Sequence, residues 1–351
     1  MTKFLSVGLT VCLVLLAFCS LVSAADKEKK TVFIVHSYSM KNICGAPQHQ
    51  GVVEALREKG FTEGDNLVIH ASAMDTKRTN NTPELILKEA DRVLKEINTV
   101  KPDIVVVLDD NAFRTVGLEL VDTDVDVVFS GMNGQPEDYD RTRKWLNSRN
   151  KPGHNITGVY EKLLVSDAFR VQKMILPNLE KILMVSDNSP TGTAVRKQFL
   201  MEAPGNSSGI EFYLRIARSW EEYMEIIKEA DEDPQTGTIY SAATTLQDKD
   251  GRTHTTEEII KWTVANSRTP GIPLNYSFVR LGMLGGAGVD FIAMGRQAGG
   301  MAARILKGTP AGDIPLEDAK RYALVFNLKR ARELGLTIPN DMLMAADAVY
   351  K

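Results

Sequence analysis

The run Ile104–Leu108, which reads IVVVL, constrains the fold more than any other stretch of this chain. It shows no alternation of apolar and polar residues, which indicates a strand covered by other layers on both faces. A similar run spans Val125–Phe129, and amphipathic stretches separate these two from apolar segments at Thr31–Val35 and Leu67–Ala71. This β-α-β-α-β order predicts a parallel, doubly wound sheet and therefore an α/β fold.

The same order starts again in the second half of the chain. Strands are predicted at Lys181–Val185, Ile210–Ile216 and Gly237–Tyr240, with amphipathic helices between them. Two helices begin with capping boxes, at Ser219–Glu222 and Thr255–Glu258. Because a chain of 351 residues is long enough for two domains, we expect two α/β lobes that face each other across a cleft.

Residues 1–24 have the composition of a secretory signal peptide. Lys3 is the only charged residue in this segment, Val7–Val22 is almost entirely apolar, and small residues lead up to Ala24. A single membrane anchor is the alternative, but the apolar core is short for a span. We expect cleavage after Ala24 and export to the periplasm.

Removal of the signal peptide leaves Cys44 as the single cysteine of the mature chain. His36 and His49 lie close to it in sequence, and the three could be considered as metal ligands. The set is one ligand short of a structural zinc site and its spacing matches no zinc pattern. We therefore expect neither a metal nor another cofactor.

The overall charge and the motif content argue against two further classes of function. A net charge of −3 gives no reason to expect nucleic acid or an anionic membrane as a partner. The sequence has no serine nucleophile elbow, no phosphate-binding loop with lysine and no H-E-x-x-H motif. Asp109 and Asp110 form a carboxylate pair, but neighbouring residues after a strand point to different sides. We expect a binding protein rather than an enzyme.

Ligands of parallel sheets bind outside the carboxyl ends of the strands, so the residues that follow each strand are the candidate site. Most of them are small polar residues or tyrosines. In the first half they are Ser37, Tyr38, Asp109, Asp110, Asn111, Ser130 and Asn133. In the second half they are Tyr160, Asp187, Asn188, Ser189, Thr193, Tyr240, Asn275, Tyr276 and Asp290. Taken singly, Asp, Asn and Ser here are better explained as helix caps, but the set with its tyrosines favours a small-molecule pocket.

A glycine-rich helix is predicted near the C-terminus, with Asp290 as its N-cap. Gly295, Gly299 and Gly300 lie within it, and each costs about 1 kcal/mol of helix propensity against alanine. Such a cost predicts that a second surface approaches this helix closely. Lys307 and Gly308 end it, with a cation near the negative end of the helix dipole.

The segment that contains this helix resembles a known family. GVD, a helix ending in ILKG, then DIP, YALVFN and LKRARELGLTIP follow one another in residues 288–339. This order resembles the C-terminal signature of periplasmic substrate-binding proteins of ABC importers related to the tryptophan- and tyrosine-binding components. The resemblance implies a type I periplasmic-binding fold, in which the chain crosses three times between two lobes. Lobe 1 would comprise residues 30–157 plus about 288–313, and lobe 2 residues 158–287 plus about 314–348.

The resemblance also implies a function. The protein would act as a monomer that closes around a small ligand and delivers it to the permease and ATPase of an ABC importer. The implied ligand is an amino acid with an aromatic or apolar side chain; Asp109 or Asp110 would bind its ammonium group and the helix start at 188–193 its carboxylate. A sensory receptor that feeds a signalling partner is the alternative. Residues 40–48 supply no aromatic side chain to cover the ligand, which leaves room for a smaller or more polar solute.

Overall fold

The computed structural model describes residues 29–205, 208–243 and 245–351. The predicted signal peptide lies outside these residues. Within the described ranges, no helix combines the length and hydrophobicity that a membrane span requires.

The secondary structure alternates as the apolar runs predict. The strands are β1 Lys30–His36, β2 Leu67–Ala73, β3 Ile104–Leu108, β4 Asp126–Met132, β5 Ile156–Tyr160, β6 Lys181–Asp187, β7 Glu211–Ala217, β8 Thr236–Ala242, β9 Thr245–Gln247, β10 Thr253–Thr255, β11 Gly271–Pro273, β12 Gly285–Val289, β13 Glu317–Asp318, β14 Tyr322–Asn327 and β15 Ala348–Tyr350. The helices are α1 Gly45–Glu58, α2 Pro83–Val100, α3 Asp109–Ala112, α4 Pro136–Thr142, α5 Val165–Ile175, α6 Pro190–Glu202, α7 Trp220–Glu232, α8 Thr256–Asn266, α9 Phe291–Leu306, α10 Leu328–Glu333 and α11 Asn340–Ala345.

Two parallel sheets form the two halves of the molecule, which confirms the predicted α/β fold. The first has the strand order β13-β5-β4-β3-β1-β2, and every pair in it is parallel. The second has the order β11-β8-β6-β7, also parallel throughout. All five residues of β3 are buried, as an unalternating apolar strand requires.

The first crossing of the chain between the halves lies later in the sequence than the sequence analysis predicts. Residues 158–160 were assigned to the start of lobe 2, but β5 pairs with β4 as far as Tyr160. Strand β13, also assigned to lobe 2, pairs with β5. Both segments therefore belong to the first sheet, because their backbone groups complete its hydrogen-bond ladder. The remaining division into lobes stays a prediction.

The glycine-rich helix α9 crosses α1 at very short range. A Cβ atom on Gly295 would lie less than 3.0 Å from backbone atoms of Gln48, and one on Gly299 equally close to Val52. Gly51 of α1 meets the backbone of α9 in the same way. The predicted close approach is thus confirmed, and it presses α9 and α1 together on one face of the first sheet.

The glycine-rich run 285–288 lies in strand β12. This strand pairs with β14 in a third, three-stranded sheet of order β12-β14-β15. Gly285 has a φ of 115°, and a Cβ there would lie less than 3.0 Å from the backbone of β14. Glycine is needed here both for its φ and for the close approach of the neighbouring strand.

Candidate functional site

The two parallel sheets meet at the loops that follow their strands. The hydroxyl of Tyr38, from the first half, lies 3.5 Å from Oγ1 of Thr191 in the second. The Nδ2 of Asn275 lies 3.7 Å from Sγ of Cys44. Direct contacts of this kind describe a closed arrangement of the two halves.

A buried group of amides adds to this contact. The Nε2 of Gln135, from the loop after β4, donates to Oε1 of Gln198 in α6 over 2.7 Å. The Tyr160 hydroxyl also bonds to both glutamines. Tyr160 is one of the predicted site residues, and its hydroxyl bonds within this junction between the halves.

Asp109 lies at the centre of the contact. It follows β3 directly, is 4% exposed and has a left-handed φ of 65°. Nε2 of Gln48 donates to its Oδ1 over 3.1 Å, whereas Oδ2 has no partner among the described residues. Burial raises the pKa of Asp109 to about 7; Lys77 opposes this and the neighbouring Asp110 adds to it. This is a carboxylate that needs a cation.

Asp110 has a different role from its neighbour. Its carboxylate accepts the backbone N–H of Asn133 over 3.2 Å, the N–H of Gly134 over 2.8 Å and the hydroxyl of Tyr139 over 2.5 Å. These bonds fix the loop that follows β4. Asp110 therefore shapes the site, and Asp109 is the carboxylate with an uncommitted oxygen.

Glu161 is a third buried carboxylate at this place, and the sequence analysis missed it. It follows β5 directly and is 3% exposed, and its Oε2 accepts from Nδ2 of Asn133 over 3.1 Å. Its position after a strand is the available signal, but the sequence analysis predicts no strand at residues 156–160. Gln48 in α1 and Lys77 after β2 were missed because neither directly follows a strand.

Several buried polar atoms at the facing ends of the strands, or beside them in α1, have no hydrogen-bond partner among the described residues. They are His36 Nδ1, Gln48 Oε1, Asp109 Oδ2, Ser130 Oγ and Asn133 Oδ1 from the first half, and the Tyr240 hydroxyl from the second. Leaving such a group unsatisfied costs about 1–3 kcal/mol. Their concentration here marks a surface that a polar ligand would complete.

A cavity of about 220 Å³ opens beside this surface, between the halves. Tyr38 and Lys77 line it on one side, and Thr255–Glu257 at the start of α8 line it on the other. The Nζ of Lys77 lies 3.9 Å from the centre of the Tyr38 ring. We take this cavity as the mouth of the cleft.

A larger cavity, of about 730 Å³, lies elsewhere, between α1, α9 and the third sheet. Two predicted ligand residues, Tyr276 and Asp290, line this cavity and not the smaller one. Asp290 accepts from the N–H of Ala293 over 2.9 Å as the N-cap of α9, and it pairs with Arg321 at 3.1 Å. The smaller cavity is the mouth of the cleft because its lining includes Tyr38, whose hydroxyl meets Thr191 of the second half.

Other predicted residues hold the loops rather than face the cleft. Ser37 Oγ donates to the carbonyl of Leu108 and accepts from Ala112. Asn111 bonds to Thr76 and Arg114. These side chains are already committed to the local backbone and its neighbours, as strand-end polar groups often are.

The predicted residues around the start of α6 are either bonded to their own surroundings or exposed. Asp187 accepts from Ser189 and from the N–H of Thr245, and Ser189 caps α6 through the N–H of Gly192. Asn188 and Thr193 are exposed. Thr191, which the sequence analysis did not single out, is the residue of this loop that reaches Tyr38.

The two histidines beside the site, His36 and His49, are within hydrogen-bond distance of each other. Nε2 of His36 lies 2.8 Å from Nδ1 of His49. Burial, together with His49, lowers the pKa of His36 to about 4. Within the described ranges, no group of three or more His, Cys, Asp and Glu residues is placed to hold a metal ion.

The raised pKa of Asp109 predicts that its contribution to the free energy of unfolding decreases as pH rises. Its pKa rises from 3.8 in its ordinary state to about 7 in the folded chain. Between these values the unfolded chain has lost the proton that the folded chain retains. The contribution of Asp109 to the free energy of unfolding therefore falls as pH rises from about 4 to about 7. Asp109→Asn removes this titration and retains the left-handed backbone, which asparagine tolerates.

The check is urea unfolding of both proteins at either end of that range. The stability of Asp109→Asn relative to the wild type should increase with pH, by a few kcal/mol at most. An equal difference at both pH values would contradict the assignment.

Residues 31–350 match the family described as ABC transporter substrate binding protein. The chain is 20% identical over 326 residues to the tyrosine-binding protein of Clostridioides difficile strain R20291, across 90% of this chain and 85% of that one. It is similar in structure to an ABC domain from Streptococcus pneumonia in complex with L-Trp, with a TM-score of 0.69, 19% identity, and coverage of 92% and 99%. A ligand-free, open substrate-binding protein with adhesive properties from Clostridium difficile gives a TM-score of 0.67, 17% identity and the same coverage. At these identities, the likeness to the two structures concerns the fold.

Proposed function

The chain belongs to the family of ABC transporter substrate-binding proteins, and on this premise we propose that it is a periplasmic receptor that closes around a small solute and delivers it to a membrane permease. The observation that carries the proposal is the set of unpartnered buried polar atoms on the facing halves. A ligand enclosed between the lobes would satisfy them and so stabilise the closed form. The sensory alternative has no observation in its favour.

The solute we propose is an amino acid. The names of two relatives, one tyrosine-binding and one in complex with L-Trp, support this class. The free oxygen of Asp109 suits an ammonium group. Lys77, the Tyr38 hydroxyl and the start of α6 at Thr191 suit a carboxylate at the mouth of the cleft.

We expect the ligand-free protein to open in solution, because the closed form buries Asp109 and Glu161 without a matching cation. Small-angle scattering should then give a smaller radius of gyration in the presence of a saturating amino acid than in its absence. A radius that stays unchanged with a ligand whose binding calorimetry confirms would contradict closure.

Cys44 offers a second measurement of the same motion. Its thiol touches Asn275 across the cleft, and burial raises its pKa in the closed form. Thiol labelling should therefore proceed mainly through the open form and should slow when ligand closes the cleft. Labelling of the urea-unfolded protein provides the reference rate. A rate in the folded protein that is independent of ligand would count against the proposed contact.

A further inference from the structure

Glu161 is the group that the proposed amino-acid site does not yet explain. Its carboxylate lies inside the contact between the halves, with one oxygen bonded to Asn133. An α-amino acid brings one ammonium group, which Asp109 would bind. A second buried carboxylate is costly to keep in such a place unless it has a partner of its own.

The surroundings of Glu161 are strongly acidic. Burial raises its pKa well above the ordinary value, and the charges of Asp109 and Asp110 raise it further. The bond from Asn133 opposes this, and Lys77 does so more weakly. Asp110 already has three donors. Closure around a ligand without net charge would thus leave Glu161 either protonated or charged without a cation of its own, and a ligand cation would remove that cost.

Most of the unpartnered atoms of the site are hydrogen-bond acceptors, so a ligand that completes them must supply donors. Gln48 Oε1 and Asn133 Oδ1 can only accept, and the same holds for Asp109 Oδ2 when that carboxylate is ionised. Ser130 Oγ and the Tyr240 hydroxyl can donate or accept. A ligand rich in N–H groups matches this set better than an apolar side chain does.

Several phenylalanine and tryptophan side chains pack in the cores of the two halves and not in the cleft. Phe113, Phe129 and Trp145 pack edge to face beneath the first sheet. Trp220 and Trp262 pack together in the core of the second half. The described residues of the cleft contribute tyrosines, and Lys77 covers the ring of one of them. Nothing in this arrangement favours an aromatic ligand over a cationic one.

We propose that the solute is an amino acid with a basic side chain, whose α-ammonium group pairs with Asp109 and whose side-chain cation pairs with Glu161. The inference rests on the proposed function and replaces the expectation of an aromatic or apolar side chain with that of a basic one. The ligand's net positive charge compensates the second carboxylate. Asn133 orients Glu161 through its hydrogen bond, and the second half contributes the buried hydroxyl of Tyr240, which has no partner among the described residues.

The first test uses the wild-type protein and needs no variant. Lysine and norleucine have side chains of the same carbon skeleton, and lysine alone carries the terminal ammonium group. Calorimetry should show lysine, ornithine or arginine binding roughly ten- to hundredfold more tightly than norleucine, leucine or tyrosine. Binding of norleucine or tyrosine as tightly as all three basic amino acids overturns the inference.

The second test assigns the effect to a residue. Glu161→Gln should weaken binding of the preferred basic amino acid by about tenfold or more while binding of norleucine stays unchanged or improves. Glu180→Gln is the matched control, because Glu180 is exposed on the second half. Equal affinity of the wild type and Glu161→Gln for the basic ligand overturns the inference. If scattering shows compaction with a neutral amino acid alone, the receptor function stands and the basic ligand falls; if no solute binds or compacts the protein, both fall.

Discussion

Replacing Asp109 with asparagine is expected to weaken amino-acid binding by about ten- to hundredfold, the loss that follows when a charged hydrogen-bond partner is removed. Asp109 offers a buried carboxylate oxygen that has no partner among the described residues. In the proposed complex it binds the ligand's ammonium group. Asparagine keeps the size of the side chain and can still accept from Gln48 through its oxygen. It removes the negative charge and leaves the ammonium group buried without a counter-ion.

The measurement is calorimetry of the wild type and of Asp109→Asn with the amino acid that the wild type binds best. Asp124→Asn serves as the control, because Asp124 lies exposed in the same half of the molecule. Retention of wild-type affinity in Asp109→Asn would show that the ammonium group binds elsewhere. A thermal unfolding transition like that of the wild type would establish that the variant is folded.

The second large effect concerns stability. Replacing Gly295 with valine should destabilise the fold by about 3 kcal/mol or more, because overpacking at a contact between backbones cannot be relieved by a change of rotamer. The Cβ of any residue at this position would lie less than 3.0 Å from the backbone of Gln48. Helices α9 and α1 would have to separate. Gln48 would then move away from Asp109, so ligand affinity should fall together with stability.

Gly300 is the internal control for this experiment. It lies in the same helix, and a Cβ there would meet no described atom within 4 Å. Gly300→Ala should therefore leave the fold intact and stabilise it by up to about 1 kcal/mol through helix propensity. Denaturant unfolding of both variants checks the pair. A Gly295→Val protein as stable as the wild type would mean that the helices tolerate separation.

The sequence by itself determined the parts of this structure that depend on local pattern. IVVVL could only be a strand covered on both faces, and the strand at Ile104–Leu108 has the bounds that its apolar run indicated. The capping box at Thr255 and Glu258 begins a helix, because the reciprocal bonds involve neighbours three residues apart. The glycines of α9 likewise predicted a close neighbour, because they lower the helix propensity and a close approach of another backbone explains why they are there.

The tertiary structure alone decided which polar residues form the site. Asp109 and Asp110 are adjacent and chemically identical, yet loop 133–139 donates three hydrogen bonds to one and leaves an oxygen of the other free. Thr191 reaches the cleft, whereas Thr193, two residues along the same helix, points to solvent. Glu161 enters the site only because β5 is the strand beside β4. Pairing between distant strands and contact between two lobes set these choices, and neither leaves a periodic signal in the local sequence.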